Sequence, residues 1–417
     1  MAGTRTRPGG SGTSGRGGKT GGGGRGNGPN GPNGPTDRPV TLAQVAQRAG
    51  VSPQTVSNAL NSPELLAPLT LERVRRAISD LDYRPHQAAR ALRTRSSRLI
   101  GYGVTPTPDG VSGPVMEHFL RAFSRSANAS GYRVILFTAP VGAEHEPDCY
   151  ADLLKEQPVD GFVLTHTYRG DRRPAWLRQR GVPFVAFGRP WSAASGKSAT
   201  SGTPVASAGD WVDVDGAHGT AAAVDHLVSL GHRRIAFLGW PKGSGVGDDR
   251  ADGWRTAMRR HGLSIRGLRA YAVNEVDAAR EAVAPLLRHG TGAGTTARRA
   301  TRTASRTTAV VAASDTLALG CYRALLDDGR APGRDVAVVG FDDSSAAALI
   351  SPSLSSLRQP LAEVGRACTR LLLDRIKDPD GEPGQVLLNP ELIVRESSGP
   401  AVGEGEGAGE RVEEGGR

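Results

Sequence analysis

The stretch Val40-Thr-Leu-Ala-Gln-Val-Ala-Gln-Arg-Ala-Gly-Val-Ser-Pro-Gln-Thr-Val-Ser-Asn-Ala-Leu-Asn61 decides the fold of the amino-terminal part of this chain. Thr41 is suited to cap a helix, because its hydroxyl can accept a hydrogen bond from a backbone N–H of the first turn. Gly50 stands where a left-handed residue ends many helices. The residues between them predict one buried helix face, because an i, i+3, i+4, i+7 spacing relates Leu42, Val45, Ala46 and Ala49.

A second short helix follows the turn and completes a helix-turn-helix. Ser52 is placed to cap it, Pro53 fits its first position, and Val56 and Leu60 face inward. In such motifs glutamine and asparagine read adenine bidentately, and serine bonds a base edge or a phosphate. The outward residues are Pro53, Gln54, Ser57 and Asn58, with Thr55 suited to phosphate contact. A plain two-helix corner is the alternative, but the agreement of caps, glycine and spacing favours the DNA-binding motif.

The distribution of charge supports a nucleic-acid-binding amino-terminal part. The chain of 417 residues has 52 Lys and Arg against 42 Asp and Glu, a formal net charge of +10. Residues 1–98 hold 15 basic and 5 acidic side chains, so they carry the whole excess, and residues 99–417 balance at 37 of each sign. Cationic charge at one end is typical of a module that binds a polyanion, with an affinity that falls steeply with salt.

The segment after the motif predicts a third helix and a short basic connector. The helix spans roughly 69–81, with a buried apolar stripe and with Arg73, Arg75 and Arg76 on the outside. Pro85 then interrupts the chain, and the next residues are rich in alanine and arginine. Because so short a stretch is not stable as an isolated helix, we expect it to fold only when DNA and a second copy of the chain hold it.

From residue 99 the pattern changes to alternating strands and helices, which predicts parallel sheets covered on both faces. Two such series imply two α/β subdomains, and the cleft between them, at the carboxyl ends of the strands, is the expected small-molecule site. The predicted strands are 99–104, 133–137, 161–165, 184–187, 235–239, 268–273, 309–312 and 336–341, and the predicted helices are 116–130, 150–156, 175–180, 220–230, 253–260, 276–287 and 314–328.

Four stretches lack such a pattern. Residues 1–37 are glycine-rich and basic, and residues 397–417 end in a Gly/Glu tail; we expect both to be disordered, because they have too few apolar residues to bury. Residues 192–209 and 291–308 are rich in small and polar residues, so we expect flexible surface insertions there.

The composition also argues against several functional classes. No apolar run approaches the roughly 20 residues of a membrane helix, and the amino terminus has no secretory signal, so we expect a cytoplasmic protein without a membrane partner. The three cysteines have neither paired nor metal-ligand spacing, so we expect no disulfide, metal or cofactor. No Gly-x-Ser-x-Gly elbow and no Walker loop occurs, which makes an enzyme fused to a DNA reader the remote alternative.

Residues 39–98 closely resemble the DNA-binding region of the lactose-repressor (LacI/GalR) family of bacterial transcription regulators, and the resemblance extends over 39–396. It implies an all-α helix-turn-helix domain at 38–84, a hinge helix at 85–97, and a core at 98–396 that is similar to periplasmic sugar-binding proteins and also dimerises. In the family a leucine of each hinge wedges into the minor groove, and Leu92 occupies that position. The residues expected to contact DNA are Thr41, Leu42, Ser52, Pro53, Gln54, Thr55, Ser57, Asn58, Asn61, His86, Ala89 and Leu92.

Motifs of the core carry the resemblance further, among them Arg250-Ala-Asp-Gly-Trp254, Ala313-Ser-Asp-Thr316, Val339-Gly-Phe-Asp-Asp343 and Leu354-Ser-Ser-Leu-Arg-Gln-Pro360. It implies that an arginine and an aspartate of these motifs bond the effector, a combination apt for a polyol because each group can bond adjacent hydroxyls. Aromatic residues also line many sugar sites, and Trp191, Trp211 and Trp240 lie on predicted strand-end loops. The expected effector-binding residues are Arg250, Ser314, Asp342, Gln359, Arg189 and Trp240.

The sequence therefore predicts a DNA-binding regulator, first of all a repressor, whose affinity for a near-palindromic operator is controlled by a sugar. A homodimer is expected, because no leucine heptad follows the core, and the operator should mirror its two-fold axis. A purine or other non-sugar effector, a corepressor in place of an inducer, and activation in place of repression stay open. The expected place of action is the cytoplasm, at the nucleoid.

Overall fold

The computed structural model describes residues 40–83, 96–105, 113–140, 142, 145–191, 209–288 and 306–401. The chain divides after Pro85 into two compact units. The described part of the first unit contains helices α1 (Leu42–Ala49), α2 (Pro53–Asn61) and α3 (Pro68–Asp80), with a 3₁₀ turn at Pro63–Leu65.

The predicted helix-turn-helix is confirmed. The Thr41 hydroxyl accepts from the Gln44 backbone N–H while the Gln44 side chain accepts from the Thr41 backbone N–H, so α1 begins with a capping box. Gly50 ends α1 with φ of 64°, and the Ser52 hydroxyl caps α2 by accepting from Thr55 N at 3.1 Å. The three helices bury a small shared core made of Val45, Ala46, Ala49, Val56, Val74 and Ala77.

The second unit contains two six-stranded sheets. The first sheet is parallel throughout and has the order β11-β5-β4-β3-β1-β2. Its strands are β1 (Leu99–Val104), β2 (Arg133–Thr138), β3 (Gly161–Leu164), β4 (Phe184–Phe187), β5 (Asp210–Val214) and β11 (Gln385–Leu388). The switch in strand order lies between β1 and β3, and ligands of such sheets bind at the carboxyl ends of the strands there.

The second sheet repeats this order as β12-β10-β9-β8-β6-β7, and only its edge strand β12 is antiparallel to its neighbour. Its strands are β6 (Ile235–Gly239), β7 (Arg269–Tyr271), β8 (Ala309–Ala312), β9 (Ala337–Asp342), β10 (Ser355–Arg358) and β12 (Glu391–Ile393). The central strands are apolar along their whole length because helices cover both faces.

Helices pack on both sheets and complete two α/β subdomains. The first sheet carries α4 (Pro114–Ala129), α5 (Glu146–Glu156), α6 (Arg173–Gln179) and α12 (Leu361–Lys377). The second carries α7 (Gly216–Ser229), α8 (Val246–Arg260), α9 (Val276–Arg288), α10 (Asp315–Asp327) and α11 (Ser345–Leu349). No helix among the described residues is long and apolar enough to span a membrane.

The chain passes between the two subdomains three times. It leaves the first sheet after β5 and enters α7, returns from β10 to α12, and crosses again between β11 and β12. Each sheet is therefore completed by a strand from the carboxyl-terminal part of the chain. The crossings lie beside the cleft, so residues of both subdomains meet there.

The fold class is as predicted, but several elements were missed. Strand β5 escaped prediction because Asp210 and Asp213 interrupt its apolar pattern, although both carboxylates are buried in ion pairs. Trp211 lies within β5 and packs against the core of the first subdomain, so its predicted place on a strand-end loop is wrong. Helix α12 was missed despite a regular apolar stripe, and the short edge strands β11 and β12 give too little pattern to detect.

Three predicted boundaries also need correction. The tail was placed from residue 397, but Ser397 and Ser398 are buried, and the Ser397 carbonyl accepts from Val338 N at 2.8 Å. The second insertion was extended to 308, but Thr307 is buried and Thr308 N donates to the carbonyl of Arg234. Helix α8 begins seven residues before the predicted start at 253, because Gly247, Asp248 and Asp249 hide its first turn.

Candidate nucleic-acid interface and ligand cleft

Helix α2 presents the predicted polar face to solvent. Gln54 Nε2 donates to Asn58 Oδ1 at 3.0 Å, which places the two predicted adenine readers side by side on one helix face. Asn61 Nδ2 donates to the carbonyl of Ser57 at 2.5 Å and thereby closes the last turn. Pro53 and Gln54 are exposed, whereas Ser57 and Asn58 are half-buried. The face can offer both amide groups to the edges of bases.

The two helix starts predicted to contact phosphate are also formed. The hydroxyls of Thr41 and Ser52 cap α1 and α2, and Thr55 Oγ1 lies 2.9 Å from Ser52 Oγ. Leu42 packs partly against the small core of the first unit. His86, Ala89 and Leu92, the predicted hinge contacts, lie outside the described residues.

Arg73 on α3 has a role that the sequence did not reveal. It was predicted on the outer surface, but its Nη2 donates to the carbonyls of Ala49 and Gly50 at 2.6 and 3.0 Å. These two carbonyls end α1 and have no partner within that helix. Arg73 therefore fixes the turn that sets α2 against α1, which makes it a positioning residue for the recognition helix.

In the second unit, Arg250 on α8 is the centre of the candidate ligand cleft. Its side chain is buried, with the guanidinium 3.5 Å from the centre of the Phe341 ring and 5.1 Å from that of Trp240. Nη1 donates to the carbonyl of Ala313 and lies 3.8 Å from Asp342 Oδ1. Its Nε has no hydrogen-bond partner among the described residues, so a guanidinium edge held between aromatic rings keeps unused donor capacity.

Asp342 faces Arg250 from the carboxyl end of β9. Its backbone has φ of 117°, a conformation that non-glycine residues rarely adopt and that clusters at functional sites. Gln359 Nε2 donates to Asp342 Oδ1 at 2.7 Å. Burial raises the pKa of Asp342 to about 7, although the nearby Arg250 opposes this rise. The carboxylate is thus a strong acceptor that lacks a full hydration shell.

A short hydrogen-bond chain joins the neighbouring strands. Ser314 caps α10 by accepting from Leu317 N, and its Oγ donates to Asn274 Oδ1 at 2.6 Å. Trp240 Nε1 donates to the same oxygen at 3.2 Å. Asn274, after β7, was not among the predicted residues, because nothing in its local sequence distinguishes it from a surface loop residue.

Arg189, after β4, is committed to carboxylates. Its Nε lies 2.6 Å from Asp213 Oδ2, and its Nη2 lies 3.3 Å from Asp249 Oδ2 at the start of α8 in the other subdomain. Asp249 also accepts from Ala217 N at 3.0 Å, and burial raises its pKa to about 6. The predicted contact of Arg189 with effector stays a prediction, made from a side chain that already has two anionic partners.

Trp191 and Trp240 lie at the cleft in different ways. The Trp191 ring packs on the backbone of Gly245 across the cleft, where a Cβ would meet the ring at 2.5 Å, and its Nε1 donates to Thr167 Oγ1. Trp240 stacks on Arg250 within the second subdomain. Within the described ranges, no group of three or more His, Cys, Asp or Glu side chains is arranged to hold a metal ion.

Comparison with known proteins gives the same organisation. Residues 41–86 match the model for bacterial regulatory proteins of the lacI family, and residues 224–398 match the periplasmic binding protein-like domain. The chain is 34% identical over 359 residues to the HTH-type transcriptional regulator CelR of Thermobifida fusca, which covers 86% of this chain and 98% of that protein. It is 28% identical over 361 residues to the ribose operon repressor of Escherichia coli strain K12, with 86% and 99% covered.

Solved structures agree over the same range. A CelR–cellobiose complex superposes with a TM-score of 0.60 at 32% identity and covers 86% of this chain and all of that one. The lac repressor dimer bound to operator and the anti-inducer ONPF superposes with a TM-score of 0.70 at 25% identity, with 87% and 100% covered. Similarity therefore extends across both units of the chain.

Proposed function

The chain belongs to the lacI family of bacterial regulatory proteins, and from this premise we propose that it is a dimeric repressor whose operator affinity is set by an uncharged sugar bound in the cleft around Arg250. As a member of the family it is a DNA-binding transcription regulator. It acts in the cytoplasm, on DNA of the nucleoid, and regulates rather than catalyses. The operator is a near-palindrome, because each copy of α2 in a two-fold dimer reads one half-site.

The observation that carries this proposal is the convergence of complementary groups on Arg250. An aromatic ring (Trp240), an arginine with unused donor capacity and a carboxylate (Asp342) lie together at the carboxyl ends of the second sheet's strands. Sugars present apolar C–H faces and adjacent hydroxyls, which these groups bind by stacking and by paired hydrogen bonds. One relative is named for the ribose operon, and the structure of another holds cellobiose.

The charges around the cleft favour an uncharged ligand. Arg189 pairs with Asp213 and Asp249, and Arg250 faces Asp342. Arg169 faces Asp248 at 3.8 Å, and α8 begins with two consecutive aspartates that occupy the positive end of its dipole. Each of these arginines already has a carboxylate partner, so a phosphate or carboxylate group on the ligand would compete with an existing ion pair.

Asp160 supplies a mechanical connection from this core toward the predicted hinge. Its carboxylate accepts from Ser97 N and Ser97 Oγ, both at 2.7 Å, and from Arg98 N at 3.1 Å. Asp160 immediately precedes β3, so residues 96–98 are fixed to the first sheet. A rearrangement of this subdomain is therefore delivered to the end of the hinge. An effector that favours the arrangement incompatible with DNA lowers operator affinity, and operator lowers effector affinity by the same factor.

Selection from a library of random inverted repeats, followed by fluorescence anisotropy, tests the DNA-binding half of the proposal. We expect one enriched near-palindrome, and both Gln54→Ala and Leu92→Ala to weaken its binding while leaving weak binding to random duplex intact. Equal loss on both kinds of DNA would contradict the assignment of these residues to specific recognition.

A thermal-shift screen of neutral mono- and disaccharides, including ribose and cellobiose, tests the ligand half. A binding sugar raises the melting temperature of the full chain and lowers operator affinity, whereas Arg250→Ala abolishes both effects. Purine bases and sugar phosphates are included as competing classes. A purine that binds at Arg250, with no response to any sugar, would replace the proposed effector class.

A further inference from the structure

We infer that Asn274 is a specificity-determining residue of the effector cleft, which donates an amide N–H to one oxygen of the effector. The inference rests on the proposed function, because it assumes that the cleft around Arg250 binds a sugar. It concerns a residue in the loop after β7 that neither the sequence patterns nor the resemblance had singled out.

The orientation of the Asn274 amide is fixed by its partners. The indole Nε1–H of Trp240 is only a donor, so the Asn274 atom 3.2 Å from it must be the acceptor Oδ1. The Ser314 hydroxyl donates to the same oxygen at 2.6 Å, and both lone pairs of Oδ1 are then in use. The amide cannot flip without placing N–H against N–H. Its Nδ2 therefore points away from both partners, and it has no hydrogen-bond partner among the described protein residues.

The position of this free donor ties it to the ligand cleft. Trp240, which holds one side of the Asn274 amide, stacks on the Arg250 guanidinium. Ser314, which holds the other side, directly follows Ala313, whose carbonyl accepts from Arg250. Both partners of Asn274 are thus neighbours of Arg250. The side chain is itself exposed, so a ligand that rests on Trp240 can reach Nδ2.

The resulting pattern of donors and acceptors makes a chemical demand on the ligand. Asp342 accepts from a hydroxyl, whereas Asn274 can only donate, so it requires an oxygen with a free lone pair. A sugar hydroxyl meets this demand and a C–H at the same position does not. A site built to bond a hydroxyl rejects the analogue that lacks it, because the protein group is then left unpaired.

Two substitutions separate this role from simple support of Trp240. Asn274→Asp keeps an acceptor for Trp240 and Ser314 but replaces the N–H donor by a second oxygen. Asn274→Ala removes the support as well as the donor. Asn128→Asp, at an exposed position on α4 far from the cleft in sequence, makes the same chemical change and serves as the matched control.

The experiment is calorimetric titration of each full-length variant with the sugar found in the screen and with its set of monodeoxy analogues. We expect wild-type protein to bind one analogue about tenfold more weakly than the parent sugar, which is the scale of one hydrogen bond with a buried partner. Asn274→Asp and Asn274→Ala should bind the parent about tenfold more weakly and should no longer distinguish that analogue. Asn128→Asp should behave as wild type.

Several outcomes overturn the inference. It fails if both variants bind the parent sugar with wild-type affinity, or if they weaken the parent and every analogue by the same factor, since that would indicate support of Trp240 alone. Melting temperatures of the free variants check that each is folded. If no sugar binds wild-type protein, the proposed function fails and the inference falls with it, a result distinct from loss of discrimination in a protein that binds.

Discussion

Arg189 and Asp249 form an ion pair of 3.3 Å that crosses the cleft between the two subdomains. Asp249 directly precedes Arg250, so one turn of α8 carries both a bond to the opposite subdomain and the side chain at the centre of the ligand site. A ligand that shifts Arg250 therefore also acts on the Arg189–Asp249 pair. This adjacency gives a direct physical route from the occupancy of the cleft to the arrangement of the subdomains.

Asp249→Asn should reduce the coupling between effector and operator. The substitution removes a buried anionic partner of Arg189, while Asp213 remains, so we expect a loss of about 1–3 kcal/mol in stability. We also expect the ratio of operator affinities without and with effector to fall about fivefold or more. Asp248→Asn is the neighbouring control: its pair with Arg169 is longer and partly exposed, and such pairs contribute little. Equal effects of the two variants would contradict a special role for Asp249.

Effector affinity should decrease as the pH falls below about 7. The free protein has an Asp342 pKa of about 7, and the sugar hydroxyls donate to the charged carboxylate. Binding then requires loss of a proton at lower pH, with a limiting change of about tenfold per pH unit. Titration calorimetry between pH 6 and pH 8.5 measures this dependence, and Asp342→Asn should remove it. A slope that persists in the variant would assign the titration to another group.

The same group gives a second, opposite dependence in the unliganded protein. Because burial raises the Asp342 pKa above its ordinary value of 3.8, its contribution to stability is complete at low pH and is lost as the pH rises through about 7. Asp249, with a pKa raised to about 6, contributes with the same sign. We expect the difference in melting temperature between wild type and Asp342→Asn to change between pH 5 and pH 8. A constant difference would contradict the raised pKa.

Arg73→Ala should weaken specific DNA binding without any lost contact to a base. Two hydrogen bonds from a charged group to the carbonyls of Ala49 and Gly50 disappear, and such bonds contribute about 1.5–3 kcal/mol each. Arg75→Ala removes the same charge from the exposed side of α3 and is the matched control. Anisotropy over a range of salt concentrations should show a larger affinity loss for Arg73→Ala. Identical losses and salt slopes would indicate that only the charge matters.

Gly253→Ala should destabilise the second subdomain. A Cβ at this position would lie 2.1 Å from the carbonyl oxygen of Ala217 and 2.3 Å from Thr220 Oγ1, so α7 and α8 must separate. Overpacking of this kind costs about 1–3 kcal/mol, and here the obstructing atom belongs to the backbone. Gly113→Ala is the control, since its Cβ would meet no atom within 4 Å. Thermal unfolding of the two variants compares them, and equal melting temperatures would refute the close packing.

The local features of this chain were predictable from the sequence. Thr41, Gly50 and Ser52 act on residues next to them, so their roles follow from position alone. Arg250, Ser314, Asp342 and Gln359 were assigned by resemblance, and the structure brings them to the carboxyl ends of one sheet, although their contact with an effector stays a prediction. The helix-turn-helix and the two α/β subdomains followed from caps and periodicity.

The residues that were missed act through distant partners. Arg73 bonds carbonyls more than twenty residues away, Asn274 bonds Trp240 and Ser314 from other strands, and Asp160 holds the residues that enter β1. Periodicity reports which face of an element is apolar but not which polar group it meets. For the same reason β5 was hidden, since its aspartates look like surface residues until their arginine partners are known.

The late position of β11 and β12 has a consequence for how the protein is made. The described part of the first unit is complete at residue 83, whereas the last strand of the second sheet ends at Ile393. A ribosome therefore synthesises the reading head long before either half of the body has its full set of strands. A premature stop codon in the final stretch removes an edge from both halves at once. The truncated product would keep the segment that recognises its genes and lose the apparatus that listens to metabolism.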